Sequence, residues 1–178
     1  MNKNRKLVFI SLYVCLAIVL DYIKSFIPFL NMPWGGSINI ALIPICVGSF
    51  HLGLSSGLLM GILWWLISSL LGLNTMYISI LQYICDYVLP SVCVGLCSVV
   101  YHKKNIFEIE IGLIIMMSIR LIILVLSGAF FWSNDYIAGS ALAFESSFIY
   151  NFPYCFFTLI MLMIIVPLII KSIISKML

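Results

Sequence analysis

Residues 82–87 of this chain read Gln-Tyr-Ile-Cys-Asp-Tyr, and Asp86 stands in the middle of a long apolar run. An ionised carboxylate in such surroundings costs several kcal/mol unless it has a partner or faces a wet cavity. Asp86 is therefore the first candidate for a functional group. Helical spacing sets Gln82 and Asp86 on one face at i,i+4, and it makes Tyr83 and Tyr87 a second such pair beside them. One negative charge flanked by an amide and aromatic rings suits an organic cation. Arg120, the one basic residue deep in another apolar segment, offers a different reading: an Asp86–Arg120 ion pair that only locks two helices together. Spacing alone leaves both open.

Other chemistries find little support. There is no G-x-x-x-x-G-K-[ST] to cradle ATP, no H-E-x-x-H and no Cys/His set with metal-ligand spacing. The cysteines (Cys15, Cys46, Cys85, Cys93, Cys97, Cys155) all lie inside apolar runs and read as small packing residues. Gly53-Leu54-Ser55-Ser56-Gly57 formally matches the G-x-S-x-G nucleophile elbow, but the elbow needs a strand-to-helix turn and a nearby His. The only histidines, His51 and His102, fall at connections between apolar runs, where His51 reads as a surface residue. A binding protein without catalytic residues, metal or cofactor is the expectation.

The elements that position Asp86 follow from composition. At 64% apolar and 8% charged residues, with a mean hydropathy of +1.23, the chain is an integral membrane protein, since soluble domains carry about 25% charged residues. Its 178 residues leave room for six spans of roughly 20 residues with short connections, forming one all-α bundle. The expected spans are about 7–28, 38–52, 54–73, 78–100, 111–131 and 148–174. Lys3, Arg5 and Lys6, then Lys103 and Lys104, then Lys171 and Lys176 all fall on one side of such a bundle, and the opposite loops contain no Lys or Arg. By the positive-inside rule both termini are cytoplasmic, in the cell membrane. The first apolar run is too long for a cleaved signal peptide and no small-residue cleavage site follows it.

Within these spans, Ser11 and Cys15 stand four apart on a small-residue face continuing near Ala17 and Ile18, which allows another helix to approach closely. Asp21 and Lys24 read as a local i,i+3 pair. Loop 29–37 holds Pro33, Trp34, Gly35 and Gly36, the composition of an interfacial anchor or a lid. Span two is short and carries Asn39 and Pro44, as segments lining a cavity often do. Gly53, Gly57 and Gly61 recur every four residues and make a smooth packing face. Trp64 and Trp65 point about 100° apart, so one can line the site while the other meets lipid. Tyr77, which closes loop 72–77, joins the candidate ligand set. Arg120 and Trp132 in span five and Asn151 and Tyr154 in span six complete a gathering of polar and aromatic groups in one half of the bundle. The site should open outward.

The stretch Pro33-Trp34-Gly35-Gly36-Ser37-Ile38-Asn39, the glycines 53–61, residues 82–87, Arg120, residues 127–132 and Tyr150-Asn151 together resemble the thiamine-specific substrate-binding (S) component of energy-coupling factor (ECF) transporters. That resemblance implies a subunit that captures the vitamin outside the cell and docks, through a small-residue face on its first helix, here Ser11 and Cys15, on a transmembrane coupling subunit and two ATP-binding subunits. It implies further that Asp86 faces the thiazolium cation, that Trp132 and Trp64 stack on the ligand's rings and that Asn151 hydrogen-bonds the pyrimidine. Arg120 matches a basic position in span five, and Tyr87 follows the acidic residue as in the family. Leu124 stands where a His is expected and Ser146 and Ser147 where a Tyr is expected, while Asn39 occupies a position that is Glu in some members. A thiamine precursor or another vitamin is thus the alternative ligand, and a structural or enzymatic small membrane protein the alternative of a different class.

Overall fold

A computed structural model describes residues 2–175 except Trp34, Asn74, Thr75, Tyr77, Lys103, Lys104, Asn134 and Asp135, with side chains described as far as residue 172. The candidate ligand residue Tyr77 and the possible lid residue Trp34 therefore lie outside the described residues, as do the basic residues Lys103, Lys104 and Lys176.

The described chain is helical: α1 (Lys3–Lys24), α2 (Leu42–Leu52), α3 (Leu54–Leu70), α4 (Ile80–Ser98), α5 (Ile106–Phe131) and α6 (Ala141–Ser175). A 3-10 turn, Pro28–Leu30, and one isolated bridge between Asn31 and Ser37 shape the connection after α1. By length and composition α1, α4, α5 and α6 can each cross a bilayer. The 11 residues of α2 and 17 of α3 reach only about 16 and 25 Å at 1.5 Å per residue.

Span two was expected from residue 38, yet α2 begins at Leu42. Asn39 explains the late start, because its Oδ1 accepts from the Ala41 N–H (3.1 Å) in an Asx-type turn and its own N–H donates to Thr158 Oγ1 (3.1 Å). Span six starts earlier than expected, at Ala141, where Ser140 Oγ accepts from the Ala143 N–H (3.3 Å) and caps the helix.

In α4 an α-helical turn (Ile80–Tyr83) is followed by a π-helical segment (Ile84–Val88), another α-turn (Leu89–Val92) and a 3-10 stretch (Cys93–Ser98). Pro90 supplies the reason: it lacks the N–H that would bond the carbonyl of Asp86, and the Leu89 N–H reaches back five residues to Ile84 O instead. The break falls on the residue that carries the charge.

Small residues bring the middle helices together. A Cβ on Gly61 would stand 2.4 Å from Ser91 O, and one on Gly112 would stand 1.9 Å from Cys97 O. Ser49 Oγ donates to Gly95 O (2.8 Å) and shares a hydrogen bond with Ser98 Oγ (2.7 Å), so these buried hydroxyls are satisfied across helices. Gly53, expected on the same face, does something else: at φ +91° with no atom within 4 Å of its Cβ position, it turns the chain between α2 and α3. His51, expected at the surface, is half-buried between the rings of Phe9 and Tyr13, with Tyr13 Oη 3.0 Å from its Nδ1. Cys46, Cys93, Cys97 and Cys155 are buried and Cys15 is exposed.

Candidate functional site

Asp21, Trp64, Asp86, Arg120 and Tyr154, from five different helices, line one cavity of about 360 Å³. It lies at the end of the bundle remote from Lys3 and Arg5, where α1, α3 and α5 finish and α4 and α6 begin.

On the α4 wall, Asp86 is held by two donors. Gln82 Nε2 hydrogen-bonds Oδ2 from one turn away, and Trp132 Nε1, at the end of α5, donates to the same oxygen at 2.7 Å. Gln82 is itself fully buried, and its Oε1 accepts from the Ile78 N–H (3.0 Å), so it holds the carboxylate without standing on the cavity wall. Tyr87 lines the cavity, stacks obliquely on Tyr83 (centroids 5.1 Å, 46°) and donates to Met76 O at 2.8 Å. Trp132 does not line the cavity: it reaches Asp86 through its N–H edge and is 41% exposed, an arrangement different from a ring stacked over a ligand.

The reading in which Asp86 and Arg120 pair is not what the structure has. Among the described residues the one ion pair is Lys24–Asp21 (2.9 Å), and Arg120 Nη1 donates to the Pro90 carbonyl. Both charges line the cavity unpaired with each other, a costly arrangement in an apolar bundle and one suited to a polar occupant. Asp86 Oδ1 receives no donor from the described residues.

Asp21 and Lys24 do pair locally, but they also line the cavity, and Asp21 Oδ2 accepts from Trp64 Nε1 at 3.2 Å. Their position in the last turn of an apolar helix was a usable signal for such a role. Trp64 is only 4% exposed and faces the cavity, and so does Trp65. The expected division between site and lipid therefore does not hold.

Asn39 lines the cavity from the turn before α2. Asn151 does not line it: Nδ2 donates to Ser147 O (2.8 Å) and Oγ (3.3 Å), and Oδ1 accepts from the Tyr154 hydroxyl. Tyr154 stands on the wall in its place, pressed against the loop so closely that a Cβ on Gly36 would meet Tyr154 Cδ1 at 2.3 Å. One turn on, Thr158 also faces the cavity. Ser146 and Ser147 are bonded to Ala143 O (3.0 Å) and Val125 O (2.9 Å), and Leu124 puts an apolar group on the wall. Thr158 and Ser68 were not singled out from sequence, and Tyr154 and Trp65 entered only as members of the aromatic gathering, because periodicity gives no clue to the rotation of helices this apolar.

Away from the cavity, Ser11 and Cys15 are exposed on α1 together with Leu12, Leu16 and Val19. Ala17, expected to continue that face, is wholly buried and belongs to the core.

Residues 7–178 match a family described as Thiamine transporter protein. The thiamine transporter ThiT of Bacillus subtilis is 33% identical over 99 residues, a stretch that makes up 54% of this chain and 50% of that protein. The chain thus spans about half the length of this curated relative. Among solved structures, ThiT from Listeria monocytogenes has the same fold, with a TM-score of 0.79 at 23% identity over 96% of both chains.

Proposed function

The chain belongs to the thiamine transporter protein family, and from that membership we propose that it is the substrate-binding S component of an ECF-type transporter for vitamin uptake, with thiamine as its ligand. It binds and delivers and does not catalyse. The observation that carries this reading is the Asp86 carboxylate, held by Trp132 and Gln82 on the wall of a 360 Å³ cavity without a counter-ion among the described residues. That volume falls in the roughly 300–1,000 Å³ range of small-molecule sites, and a carboxylate with the Tyr87 ring beside it on the wall is complementary to a thiazolium.

Thermal unfolding of the detergent-purified protein tests it. Thiamine at ~100 times its dissociation constant should stabilise the folded form by about 2.7 kcal/mol. A flat response to thiamine, with a shift from another compound in a small vitamin panel, would move the ligand and keep the binding role. Leu124 on the wall, with Ser146 and Ser147 bonded to backbone carbonyls off it, keeps a thiamine precursor or another vitamin as the second candidate, since polar contacts to a pyrimidine are fewer.

In this reading the protein crosses the cell membrane with six helices and both termini in the cytoplasm, the orientation that the Lys/Arg clusters support. The cavity then opens outward. Lacking a phosphate-binding loop, the chain takes its energy from two ATP-binding subunits through a transmembrane coupling subunit, which docks on the exposed Ser11/Cys15 face of α1. Cys15→Leu adds bulk to that face without touching the cavity. Copurification with the coupling subunit should be lost while the thiamine-induced thermal shift is kept; retained assembly would remove α1 as the docking helix.

A further inference from the structure

Two residues that line the cavity each carry a buried polar atom with no partner among the described residues. Trp65 and Ser68, three apart on α3, both line the cavity, and Trp65 Nε1 and Ser68 Oγ are buried without a hydrogen bond. Ser68 is 2% exposed. Neighbouring hydroxyls behave otherwise: Ser69 Oγ donates to Trp65 O at 2.8 Å and Ser56 Oγ to Leu52 O at 3.2 Å, the usual resting place of a helical serine. The Ser68 hydroxyl makes no such bond to Trp64, and the Trp64 indole N–H is already given to Asp21.

An unmet donor in an apolar bundle is costly and invites a partner. An indole N–H can only donate and a hydroxyl can donate, so the complement is an oxygen acceptor. Lys24, on the cavity wall, paired with Asp21 and linked through it to Trp64 of α3, adds an ammonium donor to the same side. The cavity thus presents the Asp86 carboxylate on α4 and neutral donors on α3, with the Lys24–Asp21 pair on α1 and Arg120 on α5 completing its charged lining.

We infer that Trp65 Nε1 and Ser68 Oγ form a subsite for the side-chain oxygen of the ligand, a hydroxyl or its phosphate ester, while Asp86 holds the cationic ring. The subsite rests on the vitamin-binding reading above. It is tested with the full chain in detergent by calorimetric titration of thiamine, thiamine monophosphate and the analogue with ethyl in place of hydroxyethyl. The wild type should prefer thiamine to the ethyl analogue by about 3- to 10-fold, the range of one hydrogen bond. Ser68→Ala should abolish that preference and leave the ethyl analogue's affinity unchanged, and the empty variant should melt no lower than the wild type. Ser127→Ala removes another unpartnered buried hydroxyl, one off the cavity wall, and should leave the preference intact.

Lys24→Gln separates the two sources. A loss confined to the monophosphate assigns the ester, and no loss assigns the free hydroxyl. A hydroxyl preference that survives Ser68→Ala, or a loss equal for all three probes, overturns the subsite alone. A wild type that binds none of the three overturns the vitamin reading and the subsite with it.

Discussion

Asp86→Ala is expected to raise the dissociation constant for thiamine by about two to three orders of magnitude, the cost of truncating one side of a buried charge pair. The carboxylate is the acceptor on which Gln82 Nε2 and Trp132 Nε1 converge. Its removal takes away the charge that faces the cation and leaves two donors to find other partners. The empty protein should change less, because the lost hydrogen bonds are offset by relief from an intramembrane charge that has no counter-ion among the described residues. Asp86→Asn separates the two contributions: it keeps an acceptor for Trp132 but not the charge. Affinity close to that of Asp86→Ala would assign the loss to charge, and affinity close to the wild type would assign it to the hydrogen-bond acceptor that Asn keeps. Thermal shift and calorimetry on the same preparations read both quantities. An undiminished thiamine response in Asp86→Ala would sink the cation site.

The second large effect is on folding. Gly95→Ala places a methyl group where an ideal Cβ stands 2.3 Å from Leu58 N and 2.4 Å from Gly57 C, both backbone atoms. A flexible side chain could move aside; the backbone of α3 moves only with the helix. Overpacking costs about 1–3 kcal/mol, and a clash with backbone at both atoms puts Gly95→Ala at the upper end. Because α4 also carries Asp86, a displaced α4 changes the distance between Asp86 and the α3 wall, and ligand response should fall together with the melting temperature. Gly53→Ala is the control, with positive φ but open space around the added methyl. Its cost is backbone strain alone, about 1–3 kcal/mol for a side chain at φ 91°, ψ 167°. A Gly95→Ala protein that melts with the wild type would mean that α3 and α4 do not meet at this point.

The residue types and their local spacing determined a good deal. Composition alone made this a helical membrane protein, and the i,i+4 period placed Gln82 beside Asp86 and Tyr83 beside Tyr87, as they stand in the structure. The cost of a charge in an apolar run marked Asp86 without any knowledge of its neighbours. Tertiary structure alone decided what lies beyond one turn. It brought Trp132 to Asp86 from 46 residues away, turned Arg120 to the Pro90 carbonyl rather than to Asp86, and put Asn151 behind Tyr154. It also opened the Asp21–Lys24 pair onto the cavity and spent Gly53 on a turn. The reason is physical. In a soluble helix the polar face reveals which side is buried, whereas membrane helices are apolar on both the lipid and the protein side, so periodicity cannot set their rotation. That rotation is settled by small-residue contacts such as Gly95 against Gly57 and by hydrogen bonds such as Ser49 to Gly95, which pair residues far apart in the chain.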